Sequence, residues 1–272
     1  MLLSTLLALA VVSWVVTDDR MGGMESMPGM DLGSLGFYVT VWVVMMAAMM
    51  FPSVAPTVLM YDRLRAGHHE RGQGAPADAT GLFVAGYLAV WSAAGLVGYA
   101  LFELAGELSL GFLAWDRAGQ YVAAGVIAAA AVYQLTPLKQ ACLVRCRSPF
   151  MFIAERWRHG RAGALRIGLA HGAWCLGCCW ALMAALFAIG VMSLAWMAVV
   201  AGLIAAEKLL PRPRGARLVV AGLLLALAIA VAVAPEQLPA FAVPDGGMEG
   251  AGMDDGGMRD GGMREGGMRE MP

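Results

Sequence analysis

Residues 171–183 read HGAWCLGCCWALM and sit inside an apolar run of about 168–190, long enough for a membrane-crossing helix. On a helix, His171, Cys175, Cys178 and Cys179 stand at offsets 0, 4, 7 and 8, within one arc of roughly 100°. Three of the five cysteines therefore share a face with a histidine. Thiolate and imidazole suit Cu(I) or Zn(II), and thiolate favours the softer ion. A single cysteine often just packs a helix interface. Three of them with a histidine on one stripe favour metal or redox chemistry over packing.

Outward from this stripe, the chain has 272 residues, of which 60% are hydrophobic and 14% charged. Its mean hydropathy is +0.67. A soluble domain carries about 25% charged residues, and here the charges cluster between long apolar runs. The expected fold is all-α, a polytopic transmembrane bundle of about seven spans. The net charge of −1 and the lack of a basic recognition motif give no support for a nucleic-acid partner. No Walker A loop, GxSxG elbow or HExxH motif is present, so nothing points to ATP-driven transport or hydrolysis within the chain. Five cysteines is an odd number without the spacing of a disulfide framework, which argues for reduced thiols.

The spans are expected at 2–16, 36–61, 80–102, 118–137, 168–190, 194–210 and 217–234. The first lacks a basic leader and a small-residue cleavage site, so it reads as an uncleaved helix. This divides the chain into a first helix (1–17), a Met-rich loop (18–35), a helical core (36–234) and a tail (235–272). In the loop, Met21, Met24, Met27 and Met30 recur every three residues, and Gly22, Gly23, Pro28 and Gly29 argue against a helix. In the tail, Met248, Met253, Met258, Met263 and Met268 recur every five residues within GGMRD- and GGMRE-like units. So much glycine with so few aliphatic residues predicts disorder. Inside the second span, Met45, Met46, Met49 and Met50 share one face ahead of Pro52 and Pro56. Met also serves as an adaptable filler between helices, so these four alone do not decide between ligand and packing. Cys142 and Cys146 lie one helical turn apart in LKQACLVRCRSPF (138–150). Glu207 and Lys208 close the sixth span and read as an inner-boundary ion pair, as interfacial anchors, or as residues with a role near the site. Gly86, Gly95, Gly98, Gly125, Gly190 and Gly202 are candidates for close helix contacts.

Links 62–78, 138–167 and 211–217 hold nearly all the basic residues outside the tail. Basic loops stay on the cytoplasmic side. In a bacterial inner membrane this puts the N-terminus inside and both Met-rich segments outside. Sulfur type follows the same axis, with thioethers outside and thiols toward the inner half. Thioethers keep their ligand character in an oxidising compartment, whereas thiolates need a reducing one. That order suits a copper path.

The combination of MMAAMMFPSVAPTVLMYDR (45–63), YQLTPLKQACLVRCRSPF (133–150) and HGAWCLGCCWALM followed by GVMSLAWM and AEK resembles a bacterial family. That family is catalogued as predicted metal-binding integral membrane proteins, some of them called copper chaperones. The resemblance spans approximately residues 36–210. It implies a helical membrane protein handling copper, with Met45, Met46, Met49, Met50, Cys142, Cys146, His171, Cys175, Cys178 and Cys179 as matching candidates. The expected function is capture of Cu(I) by the outer Met motifs, with holding or transfer by Met and Cys/His ligands in the bundle. Such a protein acts as a chaperone, transporter or assembly factor, with a copper-delivering or copper-receiving membrane protein as partner. Zinc is the less favoured ion, since thioether sulfur suits it poorly. Two alternatives stay open. One is a thiol-redox protein using Cys175/Cys178, with Cys142/Cys146 as a shuttle pair. The other is an accessory subunit of a copper-dependent oxidase or monooxygenase. Self-association is compatible with each.

Overall fold

The computed structural model describes residues 2–22, 35–71, 76–107, 119–189, 194–210 and 213–234. The described residues form helices α1 (Leu2–Gly22), α2 (Leu35–Glu70), α3 (Ala79–Glu107), α4 (Gln120–Leu135), α5 (Pro137–Arg147), α6 (Pro149–Arg156), α7 (Gly160–Ile189), α8 (Leu194–Leu209) and α9 (Pro213–Val233). No strand occurs among them. The described helices fall in a compact unit, Met1–Phe241. A second unit, Ala242–Pro272, lies outside the described residues.

Five helices (α1, α2, α3, α7 and α9) are long and apolar enough to cross a membrane, and α4 with α5 makes a bent sixth candidate. At 16 residues, α8 is about 24 Å long, short of the roughly 30 Å hydrocarbon core. It is therefore not one of these candidates by length, although it occupies the place of the sixth of the seven expected spans. The outer faces of these helices are apolar: Val97, Val132, Leu218, Leu223 and Val233 are all exposed.

Two segments expected as loops are helical. The α1 helix continues through Gly22, so the first part of the Met-rich loop belongs to it. The α2 helix runs 36 residues through Pro52 and Pro56 to Glu70, so the basic stretch 62–70 extends that rod. Asp62 holds its far end, accepting hydrogen bonds from Arg65 within α2 and from Thr80 Oγ1 (2.8 Å) in the first turn of α3. At the opposite end, Trp42 Nε1 donates to the Trp91 carbonyl at 2.7 Å.

The 138–167 link also departs from expectation. Thr136 is extended (ψ 149) because Pro137 disfavours the helical conformation in the residue before it. Thr136 Oγ1 then accepts from Lys139 N and donates to the Tyr133 carbonyl, so one residue caps both helices. The chain bends by 66° there, and α5 and α6 replace the expected loop. This bend carries Cys142 and Cys146 against α7.

Glycines let α3 and α7 approach closely. A Cβ on Gly86 would stand 2.5 Å from the Leu165 carbonyl oxygen, and one on Gly168 would collide with the Phe83 backbone. Among the other expected contacts, Gly95 meets the Trp42 ring, whereas Gly125 and Gly202 face open space. Gly190 lies outside the described residues.

Candidate metal centre

The centre begins with the 3.6-residue period of α7. Positions i, i+3 and i+4 face one way on a helix, so Cys175, Cys178 and Cys179 converge. Their sulfurs all lie within 4.8 Å of one another, and all three residues are buried. With metal–sulfur bonds of about 2.3 Å, three sulfurs around one ion stand about 4 Å apart. The spacing therefore fits a single soft ion with only small side-chain rotations. The thiols of Cys178 and Cys179 currently donate to the Cys175 carbonyl at 3.1 and 2.9 Å.

Two further helices supply polar groups to Cys175, and a third holds one of those groups in place. Tyr87 Oη on α3 lies 3.1 Å from its sulfur. Lys208 Nζ on α8 donates to the same sulfur at 3.0 Å and to Ser53 Oγ on α2 at 3.2 Å. Ser53 Oγ in turn donates to the Met50 carbonyl at 2.9 Å. Tyr87 and Ser53 carry no local signal in the sequence that ties them to the cysteines. Lys208 had one, since a charge next to an apolar run is a functional candidate by default.

Of the readings of Glu207 and Lys208, the neighbour pair and the interfacial anchors are corrected here, and Lys208 stands beside the cysteines. Both are buried, and they face different partners. Glu207 Oε2 accepts from Lys139 Nζ on α5 at 2.6 Å, in a pair only 1% and 2% exposed. Arg147 reaches around α8 and donates to the carbonyls of Glu207 (2.6 Å) and Leu210. Consecutive helical residues point about 100° apart, so these two cannot face each other and each finds another helix.

The second cysteine pair reaches the same place. Cys142 and Cys146 are buried on α5. Cys146 lies near Cys178. Cys142 packs on the α7 backbone, where a Cβ on Gly177 would stand 2.8 Å from its sulfur. Tyr133 Oη donates to the Gly177 carbonyl at 2.5 Å and pins that turn of α7 to α4. All five cysteines are free thiols.

His171 shares the α7 stripe but is outside the three-sulfur group. Its ring sits among Phe83, Tyr87 and Phe152, with centroids 5.3–6.0 Å away. Its buried Nδ1 has no hydrogen-bond partner in the structure, which leaves a ligand atom one turn before Cys175.

Met45, Met46, Met49 and Met50 are all buried on α2. Their height can be read from two contacts between α2 and α7. The Trp42 and Phe187 rings stack at 5.7 Å, and Ser53 meets Cys175 through Lys208. The intervals 42–53 and 175–187 rise about 17 and 18 Å at 1.5 Å per residue. The four methionines fall inside that interval, as does buried Met183 on α7. Met21 lies in the last turn of α1. Met24, Met27, Met30, Met248, Met253, Met258, Met263 and Met268 lie outside the described residues.

Residues 39–231 match the family PpoB2, described as a copper chaperone. No curated protein and no solved structure matches the chain.

Proposed function

We propose, for a chain that belongs to the copper-chaperone family PpoB2, that its cargo is Cu(I) held by Cys175, Cys178 and Cys179. The observation that carries this reading is the convergence of three buried sulfurs within 4.8 Å. Thiolates favour Cu(I) over harder ions. The nearby Cys146 thiol and the unpartnered His171 Nδ1 offer further ligands for exchange. Transfer between such ligands forms one metal–ligand bond as another breaks and leaves the oxidation state unchanged. It needs no nucleotide. Each thiol that becomes a ligand releases its proton.

In this reading the protein sits in a bacterial inner membrane with its basic links on the cytoplasmic side. The Met-rich segments around Met21–Met30 and Met248–Met268 capture copper on the outer side. Met45, Met46, Met49 and Met50 lie between that side and the cysteines, and a copper-delivering or copper-receiving membrane protein completes the exchange. Thioether sulfur suits Cu(I) and suits zinc poorly, which supports copper over zinc.

Metal content and Cu(I) affinity of the reduced, anaerobic protein in detergent test the reading. Three forms are needed: the full chain, Cys175→Ser/Cys178→Ser/Cys179→Ser, and a truncation after Ala234. Stoichiometric copper in the full chain and the truncation, abolished in the triple variant, is expected. Copper lost only with the tail would reduce the bundle to a scaffold. No copper in any form, with a disulfide among the cysteines, would replace the reading with thiol-redox chemistry.

A further inference from the structure

We infer that Lys208 determines the charge of the ion this cluster accepts, favouring a monovalent soft ion over a divalent one. The inference rests on the metal reading of the same cysteines and adds a selectivity residue to it. Lys208 is buried, and its ammonium is held from two sides, by Cys175 Sγ at 3.0 Å and Ser53 Oγ at 3.2 Å. The Ser53 hydroxyl is itself anchored on the Met50 carbonyl, so the ammonium is fixed between α2 and α7. An ion bonded to Cys175 at about 2.3 Å must lie within roughly 5.3 Å of that charge.

The neighbouring charges do not cancel it. Glu207 is already closed by Lys139 at 2.6 Å. Arg145 stacks over the Trp174 ring, and Arg147 binds the α8 carbonyls. Among the described residues no carboxylate is within ion-pair distance of Lys208. Its positive charge is therefore directed at whatever occupies the sulfur cluster.

The consequence for selectivity has a definite sign. Attraction between Lys208 and the thiolates is common to every bound ion and cancels from an affinity ratio. Repulsion between Lys208 and the ion itself scales with the ion's charge, and at this distance inside a protein it is large. A fixed ammonium thus penalises Zn(II) more than Cu(I), whatever the intrinsic preference of the sulfurs. Thiol softness alone selects by ligand type. Lys208 adds selection by charge.

Cu(I) and Zn(II) affinities are measured separately, by chelator competition on the full-length reduced protein in detergent, for wild type, Lys208→Met, Lys208→Gln and Lys208→Arg. Circular dichroism checks that each variant retains its helices. The Cu(I)/Zn(II) affinity ratio is expected to fall at least about tenfold in Lys208→Met and Lys208→Gln. In Lys208→Arg, which keeps the charge, it stays near the wild-type value. The glutamine variant retains a polar head, so the test survives if methionine disturbs folding. Proportional loss of both ions would make Lys208 a structural residue and overturn the inference. So would an unchanged ratio in folded variants. If wild type binds Cu(I) through the cysteines and the ratio does not respond, only the inference falls. If wild type binds no Cu(I) at the cysteines, the copper reading falls and takes the inference with it.

Discussion

Two lysines are buried in this bundle, and they are used differently. Lys139 meets a carboxylate, Glu207, in a closed pair at 2.6 Å. Lys208, the next residue along α8 from that carboxylate, meets a cysteine sulfur and a serine hydroxyl. The first arrangement locks α5 to α8. The second leaves a positive charge facing three thiols. A buried charge that is already neutralised holds helices in place, whereas one without a counter-ion acts, in the proposed reading, on the ion held by the sulfurs.

Removing a partner from the closed pair gives the largest expected effect on stability. Lys139→Met would strand Glu207 in an apolar interior and cost about 3–5 kcal/mol in unfolding experiments in detergent. The double variant Lys139→Met/Glu207→Leu should recover most of that loss. Lys208→Met removes the charge itself and leaves neutral partners, so the metal-free protein should lose less than about 2 kcal/mol. Equal losses at the two lysines would erase the distinction between them.

Close packing around the site ranks next. In Gly168→Ala the new methyl group meets the Phe83 backbone, which cannot rotate away. A loss of about 1–3 kcal/mol in thermal stability is expected. Tolerance of alanine there would mean that α3 and α7 part more easily than their packing indicates. The smallest effect belongs to Tyr87→Phe, which deletes the hydroxyl beside Cys175. Its cost is about 0.5–1.5 kcal/mol. The same variant sharpens the lysine comparison, because it leaves Lys208 as the polar neighbour of that sulfur on a second helix. Retention of the Cu(I)/Zn(II) ratio in Tyr87→Phe would assign the charge selection to the ammonium alone.

Much of the candidate centre was legible along the chain, and the limits have physical causes. The spacing of Cys175, Cys178 and Cys179 already implies convergence, because three side chains on one turn of a single helix need no partner to meet. Cys142 and Cys146 were readable as a pair on one turn. Their approach to α7 depended on the 66° bend at Thr136–Pro137. The Thr-Pro step announces a break in the helix, but its direction is set by what α5 packs against. The basic stretch 62–70 reads as a loop along the chain because its charges and Gly67 outweigh the apolar pattern. In the structure it prolongs α2 and is held by Asp62, Arg65 and Thr80.

Glu207 and Lys208 show most plainly where local reading stops. Adjacency suggested that they pair with each other, and helical geometry forbids it. Their true partners are 68 and 33 residues away along the chain. The sequence by itself determined the helical class, the apolar runs and the three-cysteine face of α7, because each follows from local periodicity and composition. Only the tertiary structure decided that Tyr87 and Lys208 reach Cys175, that Ser53 holds Lys208, that Cys146 comes near Cys178, and that His171 turns toward aromatic rings. Those choices depend on how separate helices bury their faces against one another, and a period measured along a single helix carries no information about its neighbours.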